Sequence, residues 1–168
     1  MAIYFIANGP APTTAAQAVV TTGNSVKTML QIKASATNTI QILAAEISFD
    51  GSAAATPIKV EFFESDLAAT VTASAQADIV PVDGAALLNG NVTTNLIPVG
   101  TTSTGYTSTT ENMAGAVVRM FDAELVPPTQ QYIFKFDTPP VIQVGKFARI
   151  RVTAGAAVNA YCWMLVQV

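Results

Sequence analysis

The side chains able to do chemistry in this chain are few and scattered. Histidine is absent and there is one cysteine, Cys162, so the commonest base and metal ligand near neutral pH is missing. Nucleophilic catalysis by Ser or Cys would lack its usual proton acceptor. A Ser–Lys pair is conceivable at Ser25 and Lys27, but their spacing matches no motif. Glu61 and Glu64 stand three apart, hence on opposite faces of a strand, which argues against a shared site. Asp122 and Glu124 share a face and form the best carboxylate pair, though the pair reads first as a solvated edge. Asp50, Asp83 and Asp137 near turns are too dispersed to display a calcium ligand set. The Gly-rich stretch Gly100 to Gly105 lacks the lysine of a phosphate loop. The expectation is no catalytic residue, no metal and no cofactor, hence not an enzyme.

Composition narrows the alternatives. Of 168 residues 51% are hydrophobic and 11% charged, with a formal net charge of −3; an average domain has about a quarter charged. Eight dispersed basic residues leave no footprint for nucleic acid. The apolar run Ala156 to Val168 falls short of the ~20 residues of a spanning helix. The start has no basic residue before its short apolar run, unlike a secretory signal. So much apolar surface with so little charge predicts a closed oligomer or a place inside an assembly.

Period-2 alternation sets the fold class. Thr28, Leu30, Ile32 and Ala34 form one face of a strand, with Lys27, Met29, Gln31 and Lys33 on the other. Leu43, Ala45, Ile47 and Phe49 oppose Glu46 and Ser48. Ile58, Val60 and Phe62 alternate with Lys59 and Glu61. Val117 to Val126, Tyr132 to Asp137, Phe147 to Thr153 and Val158 to Val168 are strand-like. Gly- and Pro-containing turns separate these runs. No segment has a convincing helical stripe: the best, Ser65 to Asp78, is interrupted by Thr70, Val71 and Thr72. Eight or nine strands in a single 1–168 domain predict an all-β antiparallel sandwich, jelly-roll-like.

Two segments stand apart. Asn89 to Gly115 holds 8 Thr and one charge, Glu111. Loops beyond ~12–15 residues are usually functional or disordered. This one reads either as a surface excursion or as an arm anchored on a neighbour by Leu96, Ile97 and Tyr106. The N-terminus, residues 1–12, reads as a first strand over Ile3 to Ile6 or as a second arm. Arg149 and Arg151 flank Ile150 and point the same way. They form either an outer face paired with carboxylates on the adjacent strand or an anchor for an acidic partner. Cys162 is expected to be buried, with Tyr161, Trp163 and Leu165 opposite it; a terminal strand apolar on both faces is either central or covered.

The stretch Phe134 to Val168, FKFDTPPVIQVGKFARIRVTAGAAVNAYCWMLVQV, resembles the closing strands of small β-sandwich proteins of tailed-phage virions. The resemblance implies a capsid decoration (cement) protein or another head or fibre component. Such a protein would be made in the host cytoplasm, form a homotrimer and bind a major capsid protein outside the shell. Residues 1–26 contain no Lys or Arg, which disfavours a genome-facing coat protein. No membrane partner is expected. The alternative is a carbohydrate-binding, lectin- or adhesin-like module using Tyr106, Asn91 and Asn95.

Overall fold

The computed structural model describes residues 2–12, 14–52, 56–83 and 96–168. Their strands are β1 (Ile3–Ala7), β2 (Val20–Thr21), β3 (Val26–Lys33), β4 (Ile40–Asp50), β5 (Ile58–Ser65), β6 (Thr70–Ala73), β7 (Val80–Pro81), β8 (Gly105–Thr110), β9 (Val118–Val126), β10 (Gln131–Phe134), β11 (Val141–Ile142), β12 (Phe147–Thr153) and β13 (Asn159–Gln167). The first sheet runs β10-β4-β13-β1-β7, with β11 on β4 and β2 on β13; the second runs β6-β8-β3-β12-β5-β9. The expected all-β antiparallel sandwich is therefore what forms. Ser65 to Asp78, the weak helix candidate, contains β6 and one 3-10 turn, Gln76–Asp78. Among the described residues no helix is long and apolar enough to cross a membrane.

The core lies between the sheets. Strand β13 is central, flanked by β4 and β1, which explains why both of its faces are apolar. Ala160, Cys162, Met164 and Val166 point inward and are buried. Across from them, Phe62 meets the rings of Phe134, Phe121 and Phe136 at 5.2, 5.4 and 5.5 Å.

Two β-bulges correct the faces expected from strict alternation. Ile150 pairs with Leu30 but Arg151 pairs with Thr28, so Met29 is an extra residue in β3. Met29 joins Leu30 and Ile32 in the core, and Thr28 turns to the outer face, beside Arg149. Likewise Leu165 pairs with Ala44 and Val166 with Ile42, so Leu43 is the extra residue of β4. Ile42 occupies the inward place expected of Leu43, which remains half-buried. A bulge sets two residues against one, and beyond it the in-and-out phase is reversed.

Residues 89–115, read as one long excursion, are in part a strand. Gly105–Thr110 is β8, paired with both β3 and β6; residues 89–95 lie outside the described residues. The close approach depends on Gly105, where an added Cβ would meet the Thr72 carbonyl oxygen and Val71 Cγ2. Gly105→Ala is expected to destabilise the protein by about 1–3 kcal/mol, the usual cost of overpacking. Urea unfolding measures it, and an unchanged midpoint would show that the strands part without cost.

Candidate interaction surfaces

Over β3 and β12 the outer face of the second sheet is covered by its own chain. Gln31 extends from β3, donating from Nε2 to the Ser103 carbonyl at 2.7 Å and accepting from the Ala69 N–H at 2.8 Å. The Thr104 hydroxyl accepts the Lys33 N–H at 3.0 Å. Beside them Arg149, whose side chain has no accessible surface, donates from Nη2 to Glu111 Oε2 at 2.6 Å and to the Thr28 hydroxyl at 2.7 Å. Its Nη1 reaches Met113 Sδ at 2.9 Å, and the guanidinium lies 5.3 Å from the Phe63 ring centroid. Glu111 also accepts from the Thr28 N–H and the Ser108 hydroxyl. Burial pushes the Arg149 guanidinium below its ordinary range, and the Glu111 carboxylate opposes that shift; the group remains cationic.

Arg151 faces the same way and lies directly opposite Glu61. Its Nη2 and Lys59 Nζ reach the two Glu61 oxygens at 2.7 and 2.8 Å. Burial opposes ionisation of Glu61, yet the bonds from Lys59 and Arg151 outweigh it and hold the carboxyl below its usual range. Glu64 is on the opposite face, as its spacing from Glu61 requires, and accepts from Arg119 at 2.9 Å and the Gln143 N–H at 2.8 Å.

The residues named as partner contacts thus fall in different places. Arg149 is buried and Arg151 half-buried against Glu61. Ile97 is buried in the core, Leu96 is half-buried against that core, and Tyr106 is half-buried in β8 opposite Leu30 and Thr72. They do not form one patch. Asp122 and Glu124 share a face, but each is engaged: Asp122 accepts from the Tyr132 hydroxyl at 2.8 Å, and Glu124 from the Leu125 N–H at 3.0 Å. Burial, then Asp122, pushes the Tyr132 hydroxyl up to about 12. Cys162 is buried, and burial raises its thiol well above the ordinary value. Asn91 and Asn95 lie outside the described residues.

Among the described residues two surfaces are left open. The outer face of the first sheet carries Phe5, Trp163 and Leu165, half-buried, with the Phe5 and Trp163 rings 5.5 Å apart. Ile133 is exposed on β10 opposite Glu46, which itself lies opposite Trp163. The second surface is β9, the last strand of its sheet. Val118 and Met120 are 40% and 48% exposed, Leu125 is 62% exposed, and Val117 just before the strand is 72% exposed. Sequence reading missed the β9 edge because edge position is set by which strands pair, and that pairing is non-local. Together these features define an antiparallel β-sandwich whose second sheet is covered on its outer face over β3 and β12 and open at β9. Comparisons with protein-family models, with curated proteins and with solved structures give no match.

Proposed function

We propose that this chain is a non-enzymatic structural protein that stabilises a larger protein shell by docking on it. The exterior of a tailed-phage capsid is the setting implied by the C-terminal resemblance. The observation that carries the reading is the contrast between the two sheets. Over β3 and β12 the outer face of one is covered by the chain's own Glu111 and Ser103 segments, while the centre of the other presents Phe5, Trp163 and Leu165, with Ile133 at its β10 edge. Aromatic and aliphatic side chains grouped on a flat sheet face suit a protein contact. A rigid module bound across a joint favours the assembled state by mass action. At 100 times its dissociation constant one site contributes about 2.7 kcal/mol.

Mass spectrometry of purified virions whose genomes encode the chain is expected to detect it. Added protein is then expected to raise the temperature at which emptied shells come apart, with Trp163→Ser losing that effect. Virions without the chain, or shells indifferent to it, would overturn the reading. The neighbouring Phe5 and Trp163 rings beside Glu46 favour one second reading, an aromatic platform for a neutral sugar ring. Saturable binding on a glycan array, lost in Trp163→Ser, would select it.

A further inference from the structure

We infer that the free edge of β9 is a two-fold interface with a second copy of this chain, joined strand to strand about the bulge at Phe121. The inference rests on the geometry of β9 alone and is independent of any shell.

The register fixes which groups are free. The Asp66 N–H donates to the Val117 carbonyl, so Val117 and Arg119 turn their main-chain groups toward β5 and the alternate residues Val118 and Met120 turn theirs away. Phe62 pairs with Asp122 and Phe63 with Met120, so Phe121 is an extra residue. Beyond it the Leu125 N–H meets its own neighbour's Glu124 carboxylate instead of β5, which places Ala123 and Leu125 on the free side. The same four residues, Val118, Met120, Ala123 and Leu125, have their side chains on the outer face, opposite Ser65, Phe63, Glu61 and Lys59. Arg119, Phe121, Asp122 and Glu124 face inward.

That phase shift is what lets residues of opposite parity face each other across a two-fold axis. In a regular strand a two-fold axis normal to the sheet can only set each residue opposite one of the same parity, since side chains alternate. With the axis at the bulge, Val118 meets Leu125 of the second copy, Met120 meets Ala123, and Arg119 meets Glu124, each pair on one face and each occurring twice; the Leu125 N–H then exchanges its own chain's Glu124 carboxylate for the second copy's Val118 carbonyl, which releases Glu124 to Arg119. Both strands carry the extra residue, so the ladder stays in step. Exposed apolar residues then cover each other, and opposite charges lie directly across the junction, the favourable arrangement for a cross-strand pair. Among the described residues Arg119 bonds only through Nη2, to Glu64 and the Val141 carbonyl, so its other donors are available. The contact is isologous and closes on itself, which answers the hazard of a long open edge.

Cysteine cross-linking reads the register. Residues directly opposite in a hydrogen-bonded antiparallel pair have Cα atoms ~5.5 Å apart, inside disulfide reach. Within one chain residues 118 and 125 are roughly 23 Å apart along the strand, and Cys162 is buried. An equimolar mixture of Val118→Cys and Leu125→Cys is expected to oxidise to a dimer of twice 17.5 kDa, with several-fold less from either variant alone. Sedimentation of the unmodified protein is expected to show the same dimer, and Ala123→Pro, which removes a free-edge N–H, to lose it. A mixture that cross-links no better than its components, or an unmodified protein that sediments as a monomer or a trimer, would overturn the proposal.

Discussion

Glu111→Ala is expected to destabilise the protein by about 3–5 kcal/mol, the usual cost of removing one partner of a buried ion pair. Arg149 has no accessible side-chain surface and Glu111 is 20% exposed, so the guanidinium left behind would remain charged without a carboxylate. The Thr28 N–H and the Ser108 hydroxyl would lose their acceptor at the same stroke. For a domain of this size each kcal/mol moves the melting temperature by roughly 2–4 °C, so calorimetry should show a drop of about 6–20 °C. The double variant Arg149→Met with Glu111→Gln is expected to recover much of the loss, because no charge is left unpaired and the Gln carbonyl can still accept from the Thr28 N–H and the Ser108 hydroxyl. A Glu111→Ala protein within about 1 kcal/mol of the original would mean that water or Thr28 solvates the cation adequately.

Phe62→Ala is expected to cost about 3–5 kcal/mol in urea unfolding, as large-to-small changes at fully buried aromatics do. Phe62 is wholly buried and its ring packs near three others: Phe121 of β9, Phe134 of β10 in the facing sheet, and Phe136 just beyond β10. Removing it takes away those ring contacts and leaves a void bounded by strands whose spacing is held by hydrogen bonds. Phe63, next in sequence, faces the opposite way, under Arg149 and Arg151. Its loss would unseat the covered face and leave the core intact. A cost below about 2 kcal/mol for Phe62→Ala would indicate that the surrounding rings close the gap.

Much of the architecture is legible in period-2 alternation because that signal is local. Phe147–Thr153 is the strand that FARIRVT predicts, and Cys162 is buried as the alternation of Tyr161, Trp163 and Leu165 requires. Among the bulged residues Met29, Leu43 and Phe121 are not legible. Each is an ordinary apolar residue, and the slip arises from pairing with a partner strand more than 50 residues away in sequence. The same limit applies to Arg149. Its type suggests solvent, and the chain gives no local sign that Glu111, in a Thr-rich stretch, folds back over it. A lone carboxylate in an otherwise uncharged segment is the trace that sequence does carry.

The placement of β13 has a consequence for the time course of folding. β13 separates β4 from β1, pairing Ile3 with Gln167 and Gln41 with the same residue, yet it leaves the ribosome after every other strand of either sheet. Until it arrives, β1 and β4 have nothing between them, and the first sheet can exist only as two separate pieces, β4 with β10 and β11, and β1 with β7. Closure of such distant pairs carries a large loop entropy, which puts folding of comparable sandwiches in the millisecond-to-second range. The second sheet meets the same delay one strand earlier, because β12 joins β3 to β5. Completion of both layers is thus a late event, and the nascent chain's main hazard is association during that wait.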